Sequence, residues 1–134
     1  MNAYKIEHIG IAVKSLARAI PLYEKLLDTP CYKTEEIPTE KVVTAFFEKG
    51  ASKIELLEDN GGNGVIQKFI DQKGEGMHHI AYDVADIRAE MKRLEEAGFT
   101  LLNHHPKEGA DNKLVCFLHP KYTNGVLIEL CQDK

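Results

Sequence analysis

Two histidines and two glutamates recur at matching places along the 134-residue chain. Glu55 follows His8 by 47 residues, and Glu129 follows His79 by 50 residues. Each histidine precedes an isoleucine in a strand-like run, and each glutamate is the centre of an Ile-Glu-Leu triplet. Imidazole nitrogens and carboxylate oxygens are common ligands of divalent metals. A single histidine or glutamate is more typical of a core or solvent-facing residue, but the repeated pair predicts one shared metal site.

Strand register selects the histidine of the second run. Side chains alternate between the two faces of a β-strand, so His8 shares a face with Gly10, and His79 shares a face with Ala81. His78 falls on the opposite face. A small residue two positions after each selected histidine leaves room for a metal and a substrate. The mid-strand glutamates point the same way, because a carboxylate among apolar residues is unfavourable unless it is paired, protonated or bound to a cation.

The elements that must position these residues also occur twice. One helix is predicted over residues 15–28 and another over 87–98, with Asp86 as N-cap and Gly98 as C-cap. Pro21 conflicts with the first helix, because proline would kink it or end its first turn. Three strand-like runs follow each helix, at 32–36, 42–48 and 52–57, and then at 100–103, 114–119 and 126–130. The order is βαβββ twice, with a short bridging helix around residues 65–70.

Composition excludes several classes of protein. The net charge of −4 and the 7% aromatic content provide no general basic field or stacking platform for nucleic acid. No window approaches the roughly 20 apolar residues of a membrane span, and the first residues lack the order of a signal peptide. The three cysteines form no CxxC motif, which favours reduced thiols. We expect a cytoplasmic protein without nucleic-acid or membrane partners.

Three runs, HIGIAV, GMHHIAYDV and FLHPKYTNGVLIEL, resemble the methylmalonyl-CoA epimerases of the vicinal-oxygen-chelate superfamily, which includes glyoxalase I. The likeness extends over about residues 4–132. It implies an α+β fold in a single domain, 1–134, whose two βαβββ modules (about 4–58 and 76–132) form a curved, partly open, eight-stranded barrel-like sheet. It also implies a homodimer that uses Co²⁺ or Mn²⁺, with Zn²⁺, Ni²⁺ or Mg²⁺ as alternatives. The implied metal ligands are His8, Glu55, His79 and Glu129.

The same resemblance implies a reaction, the interconversion of (R)- and (S)-methylmalonyl-CoA by movement of the C2 proton. Removing that proton leaves an enolate, whose charge a chelated metal would stabilise. Epimerisation needs one acid/base group on each face of C2. Glu129 matches the family's residue in that role. Some relatives carry a second glutamate where this chain has Thr44, a poor base, so the second group is left open between Glu55, a water and an unplaced residue.

Two other functions compete with this one. The first is a glyoxalase I-type lyase acting on a glutathione hemithioacetal, against which the HPK and GVLIEL contexts count. The second is a non-catalytic small-molecule-binding module on the same fold, which often lacks the metal ligands. Lys107, Lys113 and Lys121 are either contacts for the CoA phosphates or ordinary solvated lysines. His119 is either a cap or a substrate contact.

Overall fold

The computed structural model describes residues 4–134 of the chain. These residues group into two compact units, one formed by His8–His78 and the other by His79–Lys134 together with the residues up to Glu7. Each βαβββ module contributes four β-strands, and each unit has its own hydrophobic core. No helix of the described part is long and apolar enough to cross a membrane.

The unit His8–His78 contains the first βαβββ module. Its strands and helices are β1 (Lys5–Ala12), α1 (Leu16–Leu27), β2 (Lys33–Ile37), β3 (Val42–Lys49), β4 (Ser52–Asp59) and the bridging helix α2 (Val65–Lys73). The sheet order is β2-β3-β4-β1, in which β1 and β4 are parallel and the other pairs are antiparallel. The parallel pair brings the first and last strands of the module side by side.

Helix α1 covers one face of this sheet. Its N-cap is Ser15, whose hydroxyl accepts a hydrogen bond from the amide of Arg18. The helix is continuous through Pro21, so the prediction that this proline ends the first turn is wrong. Proline removes the hydrogen bond to the carbonyl of Ala17, but both residues are exposed, and water can satisfy that carbonyl. The helical spacing of Leu26 relative to Leu16, Ala19, Ile20, Tyr23 and Leu27 predicts that it is buried, but it is 68% exposed.

The second unit contains the second module. Its elements are β5 (Gly76–Asp83), α3 (Ile87–Glu96), β6 (Lys107–Gly109), β7 (Lys113–Leu118) and β8 (Leu127–Asp133). The sheet order is β5-β8-β7-β6, with β5 and β8 parallel. Helix α3 begins at the predicted N-cap, because the Asp86 carboxylate accepts from the amide of Ala89. Gly98 follows the helix with a φ of 100°, which glycine adopts without strain.

One predicted strand of the second module is wrong in position. Residues 100–103 form only a single bridge, between Leu101 and Leu118, and the three-residue strand β6 comes later. The side chain of Asn103 replaces backbone pairing here. It donates to the carbonyl of Val115 and accepts from the amide of Phe117. A side chain that takes over these hydrogen bonds ends the ladder, which a pattern of apolar residues does not reveal.

The two modules repeat each other in detail. In the first, the amide of Leu16 at the start of α1 donates to the carboxylate of Glu58 at 2.6 Å. In the second, the amide of Ile87 at the start of α3 donates to the side-chain oxygen of Gln132 at 2.7 Å. Each helix is thus tied to the last strand of its own module. The predicted α+β class and the βαβββ order are confirmed, while the role of residues 1–134 as a single domain stays a prediction.

Candidate metal centre

The first module buries a histidine–glutamate pair. His8 lies on β1 and Glu55 on β4, and Nδ1 of the histidine is 3.1 Å from Oε2 of the glutamate. Both residues are only 4% exposed. The register of the parallel strands places Gly10 directly opposite Glu55. The small residue predicted to leave space is therefore the one beside the carboxylate.

The second module buries an equivalent pair. His79 lies on β5 and Glu129 on β8, with 3.1 Å between Nε2 and Oε1. The two residues are 5% and 7% exposed. Ala81 stands opposite Glu129 in the parallel register, as Gly10 stands opposite Glu55 in the first module. The four residues selected from the sequence thus form two like pairs at equivalent strand positions.

Each carboxylate also has an aromatic neighbour on its other side. The antiparallel partner of Glu55 is Phe46, and that of Glu129 is Phe117. The Phe117 ring meets the His79 ring edge-on, with 6.2 Å between centroids. These rings exclude water from the carboxylates, and charge interactions are stronger where water is excluded. Such surroundings favour binding of a cation by each pair.

The donor atoms suit a divalent metal. His8, His79 and Glu129 each present a buried ligand atom, and Glu55 adds a second carboxylate. Ligand bonds of roughly 2.1 Å at right angles place neighbouring donor atoms about 3 Å apart. The distance of 3.1 Å within each pair matches that spacing. Both pairs therefore fit a metal by distance as well as by atom type.

His78 and His119, which are not among the proposed metal ligands, have other partners. His78, which the strand register set aside, packs its ring edge-on against Phe69 of α2, at 5.0 Å between centroids. His119 is a cap, since its Nδ1 accepts a hydrogen bond from the amide of Lys121 at 3.0 Å. Its ring also meets Tyr122 edge-on. The capping alternative for His119 is thus the one that the structure supports.

Sequence analysis missed a buried ion pair in the second unit. Lys113 is 8% exposed and Glu7 is 5% exposed, and Nζ of the lysine is 4.0 Å from a carboxylate oxygen of the glutamate. Lys113 also contacts the carboxylate of Asp133. The view of Lys113 as a solvated lysine is therefore wrong. Its position two residues before Val115, on the same strand face, was the available signal.

Glu7 also shows where alternation fails. Glu7 and His8 are neighbours on β1, yet both are buried, whereas Ile6, predicted to share a face with His8, is 40% exposed. Strict alternation would have placed one of the two polar residues in solvent. The start of β1 therefore carries a second buried carboxylate that the pattern did not predict.

The Cys131 thiol lies between charged groups of this unit. Its sulfur and a carboxylate oxygen of Glu7 are within 4.8 Å of each other. Burial raises the pKa of Cys131, and the negative charges of Glu129 and Glu7 raise it further. Burial likewise raises the pKa of Cys116 to about 11. In this structure both side chains are neutral thiols near pH 7, and neither is a base.

Comparison with known proteins identifies the family. Residues 7–117 match the model of the Glyoxalase/Bleomycin resistance protein/Dioxygenase superfamily. The chain is also 39% identical to the ethylmalonyl-CoA/methylmalonyl-CoA epimerase of Cereibacter sphaeroides, over 96% of this chain and 97% of that protein. This chain belongs to the methylmalonyl-CoA epimerase family. The resemblance noted in the three sequence runs is thereby confirmed.

Solved structures agree with this membership. A hypothetical protein of Bacillus halodurans C-125 is 41% identical and superposes with a TM-score of 0.96, over 99% of this chain and 96% of that chain. A variant of the Streptomyces coelicolor methylmalonyl-CoA epimerase, in complex with 2-nitronate-propionyl-CoA, is 31% identical with a TM-score of 0.93, over 98% and 96% of the two chains. The predicted vicinal-oxygen-chelate fold is confirmed by these epimerase-family structures.

Proposed function

We propose that this chain interconverts (R)- and (S)-methylmalonyl-CoA by moving the C2 proton. The observation that carries the proposal is the pair of equivalent, buried His–Glu contacts at 3.1 Å, in a chain similar over its whole length to an epimerase. A fold shared by many activities would not suffice, because function is decided by the residues of the site. Here the site residues and the family point to the same chemistry.

We propose that the metal ligands are His8, Glu55, His79 and Glu129. Their atom types, their burial and the spacing within each pair support this set. A divalent ion held by them supplies a positive charge for the negative charge that develops when C2 loses its proton. Co²⁺ or Mn²⁺ is the metal we expect from the family resemblance, with Zn²⁺, Ni²⁺ and Mg²⁺ as alternatives, because imidazole and carboxylate ligands bind all of these ions.

Glu129 is the proposed catalytic residue. A carboxylate has two oxygens, so Glu129 can keep Oε1 near His79 and offer the other oxygen to the C2 proton. The C2–H bond then breaks, its electron pair passes to the enolate, and the proton moves to the carboxylate. Phe117, opposite Glu129 in the sheet, keeps this transfer away from bulk water.

The acyl-CoA substrate needs cations for its phosphates as well as a site for its acyl group. Lys107 and Lys121 remain candidates for those contacts. The ammonium of Lys107 lies over the ring of Phe117 at 5.4 Å from its centroid, and that of Lys121 over the ring of Tyr122 at 5.8 Å. Aromatic rings hold these cations in defined places without neutralising them.

Assembly and location complete the proposal. A homodimer is expected from the family, and two-fold dimers are the commonest assemblies of soluble proteins. A cytoplasmic location is supported by the three cysteines, all of which are free thiols. Neither point affects the assignment of the reaction.

The decisive test uses purified protein and each of two substrates. The chain should convert (S)-methylmalonyl-CoA into the (R) epimer, followed by chiral analysis of the recovered thioester. It should leave the hemithioacetal of glutathione and methylglyoxal unchanged. Turnover of the hemithioacetal without any epimerisation would assign the chain to glyoxalase I-type chemistry instead.

A further inference from the structure

The second unit carries a buried cation that the proposed metal site does not use. Lys113 is the first residue of β7, and its register partner on β8 is Asp133. Further along the same strands, Val115 pairs with Cys131, and Phe117 pairs with Glu129. Paired residues in a sheet lie on the same face, so Lys113 shares its sheet face with Glu129. The ammonium group and the proposed base therefore lie on the same side of the sheet.

The opposite face of β7 is occupied by the core. Cys116 and Leu118 pack with Ile87 and Met91 of α3. On the face of Lys113, by contrast, Val115 and Cys131 form a small cluster with Ala81, the residue opposite Glu129. Lys113 therefore belongs to the face that carries the His79–Glu129 pair and not to the helix-facing core.

The fold does not require lysine at this position. Val42 is the first residue of β3 in the first module, as Lys113 is the first residue of β7 in the second. Each pairs with an aspartate on the last strand of its module, Val42 with Asp59 and Lys113 with Asp133. Val42 is 7% exposed, so a valine fills the equivalent place in the first module. Burying an ammonium instead of a valine is unfavourable unless the charge is paired, so Lys113 depends on its contacts with Glu7 and Asp133.

Glu7 stabilises the buried ammonium. Its carboxylate is 4.0 Å from Nζ of Lys113 and only 6% exposed, whereas the Asp133 side chain, the other partner, is 80% exposed. Glu7 therefore offsets the charge where water is excluded, and Asp133 meets it at the solvent boundary. The contacts with Glu7 and Asp133 place Nζ at the edge of the face. The flexible four-carbon stem of lysine can also take other conformations, in which Nζ lies further along the strand.

Other buried groups on this face are less suited to proton transfer. Among the described residues of this unit, the buried titratable groups beside this face, apart from His79 and Glu129, are Glu7, Cys131 and Lys113. The buried carboxylate of Glu90 lies on helix α3 instead and accepts a hydrogen bond from Arg93. The raised pKa of Cys131 keeps that thiol protonated and weakly acidic. Glu7 faces Lys113. In the first module, Thr44 supplies only a hydroxyl where part of the family has a second glutamate.

We propose that Lys113 is the second proton-transfer residue, acting on the face of C2 opposite Glu129, with Glu7 as its positioning residue. This inference rests on the proposed epimerase function. Four residues of β7 separate Lys113 from the position opposite Glu129, about 13 Å along the strand. If the Lys113 and Glu129 side chains both extend into this gap, C2 of the substrate can lie between them, with each proton-transfer group roughly 3 Å away.

The proton balance is complete with these two groups. In one direction Glu129 takes the C2 proton, the electron pair passes to the enolate, and the Lys113 ammonium gives a proton to the other face as a new C2–H bond forms. Glu129 is then a carboxylic acid and Lys113 a neutral amine. That is the state from which the opposite epimer reacts, so the reverse reaction restores the carboxylate and the ammonium.

The test compares Lys113→Arg with Lys113→Met in deuterated solvent, each epimer being supplied separately. Arginine keeps the positive charge beside Glu7 but cannot be deprotonated in proteins. Both variants should lose about 10²-fold or more in epimerisation, the scale of general acid–base catalysis. Both should still exchange the C2 hydrogen of the epimer that Glu129 deprotonates. Glu129→Gln should show the opposite pattern, with exchange retained only in the other epimer.

Three further variants serve as controls for this test. Lys134→Met removes another ammonium, paired with Glu108, and should leave turnover unchanged. Glu7→Gln should lower turnover while exchange at the Glu129 side persists, and adding Glu7→Gln to Lys113→Arg should cause no further loss. Circular dichroism and metal content, measured on every variant, identify any that do not fold.

Several results would overturn the assignment. If Lys113→Arg keeps turnover within about threefold of wild type, Lys113 supplies only charge, because general-base catalysis is worth far more. Loss of exchange from both epimers alike in a folded Lys113→Arg protein would contradict a one-sided role. Loss of one-sided exchange in Glu7→Gln but not in Lys113→Arg would make Glu7 the base. Absence of epimerisation by the wild-type protein would instead refute the proposed function itself.

Discussion

His78 and His79 are adjacent in sequence but have different surroundings. His79 is 3.1 Å from Glu129, whereas His78 packs against Phe69. We predict that His79→Ala and His8→Ala each strongly reduce the metal content of the purified protein, because each removes one of the proposed imidazole ligands. His78→Ala is the matched control and should retain metal, as measured by elemental analysis after dialysis. Equal metal loss in the His78 and His79 variants would contradict the strand register.

The two glutamates should differ in their effect on catalysis. Glu129→Gln keeps an oxygen ligand but removes the basic carboxylate, so turnover should fall by roughly 10²-fold or more while metal affinity falls modestly. Glu55→Gln should be milder, because Glu55 is proposed as a ligand and not as the base. Steady-state kinetics at saturating metal measures both. Near-normal turnover of metal-loaded Glu129→Gln would reduce Glu129 to a ligand or a bystander.

At the residue scale, repetition made the histidine–glutamate pairs predictable. His8 and Glu55 would each have been ambiguous alone, but their counterparts His79 and Glu129 fixed both identity and strand face. Lys113 had no such counterpart, since the first module has Val42 at its place. A side chain that breaks an internal repeat cannot be recognised by the repeat, and its burial was visible only in the structure.

The side chain of Asn103 fixes the connection between α3 and β7 by hydrogen bonds. Its side chain donates to the carbonyls of His105 and Val115 and accepts from the amide of Phe117. We predict that Asn103→Ala destabilises the protein by about 1–3 kcal/mol, because these groups lose partners in a half-buried place. Urea denaturation measures the change in the free energy of unfolding.

Asn63→Ala is the control for that substitution. Asn63 is exposed, and its side chain accepts one hydrogen bond, from the exposed Lys41. Loss of such a contact should change the free energy of unfolding by less than about 0.5 kcal/mol. If Asn103→Ala is as mild as Asn63→Ala, the side chain of Asn103 does not hold this segment against β7.

Elements with strong periodicity were predictable, and those governed by a single side chain were not. Helix α3 has both a capping aspartate and a regular apolar stripe, and it begins where the sequence places it. Helix α1 runs through Pro21 because the lost hydrogen bond lies on its exposed side. The segment 100–103 has strand-like composition, but it pairs with β7 only through one bridge at Leu101, and from there the side chain of Asn103 bonds the backbone of β7. When a side chain replaces the backbone as a hydrogen-bond partner at one position, the periodic pattern of apolar residues does not show it.

The whole molecule is expected to be a homodimer. Sedimentation velocity at micromolar concentration should show a species of twice the mass of the chain. Leu22 and Leu26, which lie one turn apart on α1, are 62% and 68% exposed and mark an apolar stretch open to a partner. A species of single-chain mass alone at that concentration would contradict the dimer.

The central claim is that this family member is a metal-dependent methylmalonyl-CoA epimerase. The most direct measurement is epimerisation of (S)-methylmalonyl-CoA by the purified wild-type chain, after chelation of metal and again after addition of Co²⁺ or Mn²⁺. We expect low turnover of the chelated protein and recovery when the ion is added, because an ion held by the proposed ligands would again stabilise the negative charge that develops at C2. No turnover under either condition, or full turnover after rigorous chelation, would contradict it.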